Sequence, residues 1–334
     1  MVSNSYCESN RVMALLCLTL PLLILITYRT IPAQQKAEAS AQSDASSTRI
    51  DPPILTATVT DKHGQYIVGQ KQSAFAVYDN KIPQKILFLD DKDVPLSVGI
   101  LFDASKSMFG VAPQWTKEAQ WVSKAKAAVS HFTELSHQSN EYFILGFNQR
   151  VELLSDWTHD QTAIINSLNK VSSPKEGTLL YDALYLGLEK LKSSRHGKRV
   201  ILLFSDGEDV RSEQKLKTVR RLLSEFGVLV YAVGLLSENA ANWRPLPTVM
   251  DELCSDSGGI ALYPKSAEEM NLAIERIAME LRNQYSISYE SSNINADGAW
   301  HSIKVQVKSP LKGSNNEQLL VRTRKGYFAA KNLQ

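Results

Sequence analysis

Cysteine is scarce in this chain of 334 residues, which contains only three. Cys7 and Cys17 lie near the N-terminus, and Cys254 is the only thiol in the rest of the chain. The main part of the protein therefore cannot form a disulfide within itself. The length predicts roughly two domains, and an apolar content of 43% is enough for a sizeable core.

An excess of charge of either sign is also missing. The sequence has 37 lysine and arginine residues against 35 aspartate and glutamate residues, so the net charge at pH 7 is +2. Domains that bind nucleic acid usually carry a clearly basic composition or a strong positive patch. The balance of charge therefore predicts that nucleic acid is not a partner.

The sequence lacks the short motifs of common enzyme classes. It contains no G-x-S-x-G nucleophile elbow, no H-E-x-x-H zinc motif and no P-loop. The six histidines lie away from the polar segments described below: His63, His131, His137, His159, His196 and His301. No general base is evident, so we predict that the protein is not an enzyme. A metal-assisted hydrolase stays open as an alternative.

Long uninterrupted apolar stretches are missing, apart from one segment. Residues 12–28, VMALLCLTLPLLILITY, carry no charge and lie between Arg11 and Arg29. The length of this segment falls between the core of a signal peptide and a comfortable membrane span, and Pro21 interrupts it. We therefore predict that residues 1–33 form a signal peptide or, if uncleaved, a membrane anchor. The rest of the chain is expected outside the cytoplasm, secreted, periplasmic or anchored to the membrane by residues 12–28.

Short alternating strands occur at both ends of the remaining sequence. After a small, polar linker at residues 34–53, the segments ILTATVT, FAVY and KILFL indicate an N-terminal β arm at residues 54–93. The segments YSISYE, SIKVQV and LLVRTRKGYF indicate a C-terminal β arm at residues 285–330. Since an isolated hairpin is only marginally stable, we predict that the two arms pair into one small antiparallel β domain. The alternative is that they are extra edge strands packed on the central domain.

Strands and helices alternate between the two arms, at residues 94–284. LSVGILFD is a continuous apolar run ending in an aspartate, which is typical of a parallel strand buried on both faces. Further strands are predicted at YFILGF, VELL, RVILLFS, VLVYAVGL and ALY. The predicted helices begin at Trp115 and lie at 160–169, 181–191, 211–225, 247–256 and 266–282. The alternation predicts an α/β, Rossmann-like, mostly parallel sheet with helices on both faces, inserted in the small β domain.

Side chains with oxygen donors follow two of these strands and precede one helix. Asp103, Ser105 and Ser107 come at the end of LSVGILFD and in the turn after it, and Asp206 follows RVILLFS. Thr178 lies in the glycine-containing segment KEGT, directly before a helix. Because ligands gather at the carboxyl ends of the strands in such sheets, we expect these side chains to share one edge. Oxygen donors of this kind suit Mg²⁺, Mn²⁺ or Ca²⁺.

The order of these segments resembles a known metal site. DASKS, then the threonine of EGTLLYDAL, then the aspartate of FSDGED resemble the metal-ion-dependent adhesion site of von Willebrand factor type A domains, whose pattern is Asp-x-Ser-x-Ser followed by a threonine and an aspartate. The resemblance covers residues 94 to 285, and the flanking arms resemble those of bacterial secreted proteins of this type. It implies Mg²⁺, with Mn²⁺ or Ca²⁺ as alternatives, and a protein ligand that presents an acidic residue to the metal. The implied metal ligands are Asp103, Ser105, Ser107, Thr178 and Asp206.

Each candidate ligand also has an ordinary structural interpretation. Ser105, Ser107 and Thr178 could cap the helices that follow them. Asp206 could stabilise the DG turn in which it lies. Three such turns would then have to fall in the required order by chance, each beside a strand or helix end. We interpret the adjacent Glu208 and Asp209 as surface charge.

Two loops near the predicted site contain residues typical of binding surfaces. MFGVAPQ, at 108–114, adds apolar residues beside Ser107, and LSENAANWRPLP, at 236–247, contains Trp243 and Arg244 as candidate ligand contacts. The sequence therefore predicts an extracytoplasmic, metal-dependent protein-binding or adhesion module. A structural subunit of an envelope complex, in which the metal only stabilises the fold, stays open as an alternative.

Overall fold

The computed structural model describes residues 54–109, 115–171, 176–234, 248–292, 298–308 and 319–329. All of these residues belong to one compact unit. The predicted signal or anchor segment, the linker at 34–53 and the two candidate ligand contacts, Trp243 and Arg244, lie outside the described residues.

The described residues contain thirteen strands and six α-helices. The strands, in chain order, are β1 (Ile54–Thr60), β2 (Phe75–Asp79), β3 (Ile82–Asp90), β4 (Leu96–Asp103), β5 (Glu141–Phe147), β6 (Val151–Thr158), β7 (Lys198–Ser205), β8 (Leu229–Gly234), β9 (Ala261–Leu262), β10 (Gln284–Glu290), β11 (Trp300–Val307), β12 (Leu320–Thr323) and β13 (Gly326–Phe328). The helices are α1 (Trp115–Leu135), α2 (Gln161–Asn169), α3 (Leu180–Leu191), α4 (Leu216–Phe226), α5 (Val249–Ser257) and α6 (Ala267–Arg282).

The middle of the chain forms a six-stranded sheet in the order β6, β5, β4, β7, β8, β9. Only β5 and β6 run antiparallel, and the other neighbouring strands are parallel. Helices α1, α2 and α6 pack on one face, and α3, α4 and α5 pack on the other. Every residue of β4 is buried, as its continuous apolar run predicts for a strand covered on both faces. The predicted Rossmann-like α/β fold is confirmed.

The terminal strands form a separate seven-stranded sheet in the order β12, β1, β10, β3, β2, β11, β13. The N- and C-terminal arms interleave in this sheet: Ala57 pairs with Tyr285, and Val77 pairs with Val305. These side chains belong to a common apolar core. The predicted pairing of both arms into one antiparallel sheet is thereby confirmed, while the division into domains and the domain boundaries stay predictions.

The two edges of the terminal sheet are joined by a short piece of chain. β12 and β13 lie at opposite ends of the strand order, but only Arg324 and Lys325 separate them in sequence. The backbone N–H of Ile303 donates to the Lys325 carbonyl at 2.8 Å, which holds this connection against β11. The sheet therefore bends far enough for one edge to meet the other.

A buried polar network connects the two sheets. Glu280 of α6 is 1% exposed. Its Oε1 accepts hydrogen bonds from the Tyr231 hydroxyl at 2.5 Å, from Thr58 at 3.3 Å and from the Arg322 guanidinium. The Nε2 of Gln284 donates to the hydroxyls of Thr58 and Tyr231, both at 3.0 Å. Residues of α6 and β8 thus share one network with residues of β1, β10 and β12.

Two predicted elements differ from the structure. The helix predicted at 211–225 begins only at Leu216, because the N–H groups of Glu213 and Gln214 donate to the Asp182 carboxylate at 3.2 and 2.8 Å and not to a preceding turn of helix. The single strand expected in LLVRTRKGYF is two strands, β12 and β13, with different partners. Of the helices in the described ranges, none is long and apolar enough to cross a membrane.

Candidate functional site

The candidate site lies where the strand order of the six-stranded sheet reverses. From β4 the chain passes through α1 to β5 on one side, and it later reaches β7 on the other side. In open α/β sheets, ligands bind at the carboxyl ends of the strands on either side of such a reversal. Asp103 is the last residue of β4, and Asp206 directly follows β7. Both residues therefore lie beside the crevice that this topology creates.

The Asp103 carboxylate is fully buried. Its Oδ1 accepts the backbone N–H of Ser105 at 2.8 Å, and its Oδ2 accepts the hydroxyl of Ser205 at 2.7 Å. Burial and, second to it, the negative charge of Asp206 raise the pKa of Asp103 to about 7. The two hydrogen bonds act in the opposite direction. The two hydrogen bonds thus stabilise the Asp103 anion only partly, because burial and the negative charge of Asp206 both disfavour it.

The two serines of DASKS contact each other beside this carboxylate. Ser105 is 2% exposed, and its hydroxyl oxygen lies 2.9 Å from that of Ser107. Since Ser105 also donates its N–H to Asp103, direct contacts connect all three predicted ligands of this segment. A short 3₁₀ helix, Lys106–Phe109, follows the first of the serines.

Thr178 and Asp206 lie in loops whose backbones favour glycine. Gly177, directly before Thr178, and Gly207, directly after Asp206, both have a φ of +85°, a value that other residues rarely adopt. The Thr178 carbonyl accepts the backbone N–H of Val210 at 3.0 Å. Thr178 is buried and Asp206 is half-buried. The loop that carries Thr178 is therefore fixed to the loop that follows Asp206.

A residue interpreted from sequence as surface charge has a positioning role. The Oδ1 of Asp209 accepts the N–H of Tyr181 at 3.1 Å and the hydroxyl of Ser212 at 2.6 Å. Tyr181 is the second residue of α3, whose own N-cap residue, Leu179, makes no side-chain hydrogen bond. Asp209 thus caps α3 from another loop, 28 residues further along the chain. No local sequence pattern reports such a contact.

The donor set of the site is made entirely of hard oxygen ligands. Contacts bring Asp103, Ser105 and Ser107 together, the charge of Asp206 acts on Asp103, and Thr178 is held to the loop after Asp206. Nowhere in the described ranges do three or more His, Cys, Asp or Glu side chains form a group that could hold a metal ion. A site here would instead use two carboxylates and three hydroxyls. Such a set fits Mg²⁺, Mn²⁺ or Ca²⁺ and not zinc, which prefers nitrogen and sulfur ligands.

The apolar segment beside the site is only partly a surface feature. Met108, which the sequence predicts as part of an exposed loop, is fully buried in the core under α1. Residues 110–114 of this segment and the whole loop that contains Trp243 and Arg244 lie outside the described residues. Met108 therefore packs in the core and is not available to contact a ligand.

The segment that carries this site is similar in sequence to a known class of domain. Residues 98–208 match the family model described as the von Willebrand factor type A domain. The matched segment begins within β4 and ends just after β7, so it includes all five predicted metal ligands. The middle of the chain is thus similar in sequence to this class of domain, in agreement with its α/β fold.

Several solved structures are similar to part of the chain. An aerotolerance-related membrane protein from Bacteroides fragilis is 20% identical, with a TM-score of 0.44 over 56% of this chain and 98% of that chain. BatB from Bacteroides thetaiotaomicron is 19% identical, with a TM-score of 0.42 over 55% and 98%. The vWF domain of the type V pili tip protein Mfa5 from Porphyromonas gingivalis is 11% identical, with a TM-score of 0.44 over 56% and 95%. Among curated proteins, none matches the chain.

Proposed function

We propose that this protein is an extracytoplasmic, metal-dependent protein-binding or adhesion module. In this proposal the side chains of Asp103, Ser105, Ser107, Thr178 and Asp206 hold a divalent cation, Mg²⁺ or alternatively Mn²⁺ or Ca²⁺. An acidic residue of a protein ligand completes the coordination. The observation that carries the proposal is the buried Asp103 carboxylate, held beside the charge of Asp206 at the reversal point of the sheet.

The electrostatics of the site support a bound cation. A buried carboxylate is costly unless a positive charge or strong donors compensate it. Asp103 has two donors, from Ser105 and Ser205, and a pKa that burial and Asp206 raise to about 7. A divalent cation would supply the missing positive charge and favour the ionised form of Asp103. With two carboxylates and neutral hydroxyls around it, such a cation keeps affinity for a further anionic oxygen.

The protein's own residues position the ligand oxygens. The N–H of Ser105 and the hydroxyl of Ser205 fix the orientation of the Asp103 carboxylate. Asp209 caps α3 and the Val210 N–H donates to the Thr178 carbonyl, so hydrogen bonds connect the Thr178 loop to the residues that follow Asp206. The ligands thus come from three segments whose mutual position is set by hydrogen bonds before a partner arrives.

Location and the alternative functions follow from the remaining sequence features. Residues 12–28 support export of the chain and, if uncleaved, attachment to a membrane. An envelope subunit with a purely stabilising metal would bind the cation but no acidic ligand. A hydrolase would need a general base, and at least two of the histidines are engaged away from the site: His131 contacts Glu275, and His159 contacts the Asn140 carbonyl. We therefore favour the binding module.

Calorimetric titration with Mg²⁺ and Mn²⁺ tests the metal site in a protein that begins at Gln34. We expect saturable binding in the parent protein and loss of that binding in Asp103→Asn and in Asp206→Asn. Glu268→Gln removes one negative charge from the exposed first turn of α6 and serves as the matched control, with binding like the parent. Equal heats in the parent and in both aspartate variants would contradict a metal site here.

A second measurement separates adhesion from a purely stabilising metal. Peptides that contain a single aspartate or glutamate, and matched peptides with asparagine or glutamine, are screened for binding in Mg²⁺ and in EDTA. The binding module predicts capture of acidic peptides that requires both the metal and the carboxylate. Intact metal binding without carboxylate-dependent capture would support the structural alternative.

A further inference from the structure

A cavity lies between α4 and the end of the terminal sheet, away from the five candidate metal ligands. Its volume is about 700 Å³, within the range of small-molecule sites. Residues of α4 form one wall, and the strands β11 and β13, with the connection before β13, form the other.

One part of the cavity surface is apolar and aromatic. Leu216 and Leu223 contribute from α4, and Trp300 and Phe328 contribute from the facing strands. The two aromatic rings pack edge to face, with their centroids 5.0 Å apart. Trp300 is nevertheless 43% exposed. The ring would gain burial from an apolar group placed in the cavity.

The charged part of the surface is strongly one-sided. Four cationic side chains line the cavity, together with one carboxylate, that of Asp256. Arg220 contacts both Asp256 and, at 3.3 Å, Glu252, and Lys325 contacts Asp256 at 3.0 Å, so these two cations already have carboxylate partners. Lys217 has no carboxylate partner among the described residues and is exposed at the cavity. The surface therefore carries a net positive charge next to its apolar wall.

The fourth cation, Arg324, is also incompletely satisfied. Its Nη1 reaches the Ser224 carbonyl only at 3.5 Å, and its guanidinium carbon lies 5.4 Å from the centre of the Tyr327 ring. Its Nε is buried and has no hydrogen-bond partner within the described part of the chain. Burial lowers the pKa of Arg324 against the opposing effects of Tyr289, Tyr327 and Asp79, so negative charge compensates this cation only in part. An anionic group bound in the cavity would supply that charge.

We propose that this cavity binds a small organic carboxylate with an apolar body, whose carboxylate contacts Lys217 and Arg324 and whose apolar part contacts Trp300. The volume fits a molecule of small-ligand size, and the aromatic wall and the positive charge are complementary to the two ends of such a molecule. The cavity shares no residue with the candidate metal site, so this proposal does not depend on the proposed function.

Photolabelling of the full-length chain with an octanoate analogue that carries a diazirine at its apolar end tests this proposal, because the labelled residues can be located by mass spectrometry. We expect labels in peptides from 216–228 and 298–329. Excess unlabelled octanoate should reduce labelling of these peptides at least five-fold, whereas 1-octanol, which has the same chain without the charge, should reduce it less than two-fold.

Variants identify the part that each side chain plays. Lys217→Gln and Trp300→Ala change exposed residues of the cavity wall, and each should reduce labelling there about five-fold. Lys215→Gln lies on the same segment but outside the cavity lining, and labelling should match the parent protein. Equal competition by octanoate and 1-octanol would overturn the anionic part of the proposal. Labelling of these peptides that is unchanged in Lys217→Gln and Trp300→Ala would overturn the site itself.

Discussion

Two hydrogen bonds determine how the Asp103 carboxylate is presented to a ligand. One comes from the backbone of Ser105 within the same turn, and the other comes from Ser205, at the end of the neighbouring strand β7. Ser205 also accepts the N–H of Gly207 at 3.0 Å, so one hydroxyl connects Asp103 with the turn that carries Asp206. Residues that hold metal ligands from behind in this way commonly affect affinity as strongly as some direct ligands.

We expect Ser205→Ala to weaken Mg²⁺ binding about ten-fold, because it removes the donor to Asp103 and leaves the Gly207 N–H without its acceptor. Calorimetric titration beside the parent protein measures the change. Ser205→Thr keeps a hydroxyl and should recover most of the affinity. Ser167→Ala, which removes a buried serine hydroxyl from α2, is the control and should bind like the parent. Parent-like affinity in Ser205→Ala would show that this hydroxyl does not position Asp103.

Lys198 makes the stability of the folded chain depend on pH. Its ammonium donates to the Leu281 carbonyl at 2.6 Å, and burial lowers the pKa of this lysine from 10.5 to about 8, against the opposing effect of Asp93 and Glu280. The unfolded chain therefore binds more protons than the folded chain between pH 8 and 10.5. Because the folded pKa is the lower one, the unfavourable contribution of Lys198 is fully present below pH 8 and is relieved as the pH rises through this window.

Urea denaturation at pH 7.5 and pH 10 should show this effect as a difference between proteins. Relative to Lys198→Met, the free energy of unfolding of the parent should rise by about 1 kcal/mol over this interval, a value reduced for the partial exposure of the side chain. Lys304→Met, at an exposed position of β11, should follow the parent at both pH values. A constant difference between the parent and Lys198→Met would contradict the lowered pKa.

At the scale of elements, the start of α3 and the loop after β7 stabilise each other. Asp209 of the loop caps α3, while Asp182 of α3 accepts the N–H groups of Glu213 and Gln214 from the loop. Each element thus accepts hydrogen bonds from backbone N–H groups of the other. Without these acceptors, the N–H groups at the start of the helix and in the loop would lack a partner within the protein. Thr178 lies directly before α3 and Asp206 directly after β7, so this exchange also sets the spacing between two candidate metal ligands.

We expect Asp209→Ala to cost about 1 kcal/mol of unfolding free energy, as the loss of a helix cap usually does, and to weaken Mg²⁺ binding. Asp209→Asn keeps the oxygen that accepts the Tyr181 N–H, and its affinity should stay close to that of the parent. Glu208→Ala, at the exposed neighbouring position, should change neither quantity. Loss of metal binding in Asp209→Asn would instead identify Asp209 as a direct ligand.

At the scale of the whole molecule, Glu280 and Arg322 couple the six-stranded sheet to the terminal sheet. Glu280 is buried, and Arg322 is the cation in contact with it. Removing one partner of a buried pair leaves an uncompensated charge, whereas replacing both with apolar residues is often nearly neutral. The pair therefore makes the stability of one sheet depend on the other.

Arg322→Met should cost about 3 kcal/mol or more of unfolding free energy, and Glu280→Leu combined with Arg322→Met should recover at least half of that loss. Arg221→Met breaks an exposed pair with Glu225 on α4 and should cost less than about 1 kcal/mol. Hydrogen exchange should show β1 and β4 losing protection together in Arg322→Met. Loss of protection in β1 alone would contradict the coupling.

The sequence predicts the elements well where one short segment determines them. The apolar run of β4 predicts a strand buried on both faces, and the turns around Asp103 and Asp206 predict that polar groups meet at one edge of the sheet. The folding of the two arms into one sheet follows from the marginal stability of each arm alone. These inferences depend on hydrophobic pattern and on general rules for sheets.

Features that depend on distant contacts were not predictable from sequence. From the sequence, Asp209 is interpreted as an exposed charge. Its role as a cap depends on the position of α3. The late start of α4 has the same origin, because Asp182 competes for the N–H groups that would otherwise begin the helix. The division of LLVRTRKGYF into β12 and β13 depends on which strands lie beside each half. Local propensity contains no information about these partners.

The position of β1 in the terminal sheet has a mechanical consequence. Although β1 is the first strand of the described chain, it lies inside the sheet, with β10 on one side and β12 on the other. A pulling force applied to the chain before Ile54, along the strand, would load both rows of hydrogen bonds in shear at once. Peeling one strand from an edge would instead break its bonds one after another. If the chain before Ile54 were attached to a fixed point, β1 would therefore resist a pulling force on this part of the protein.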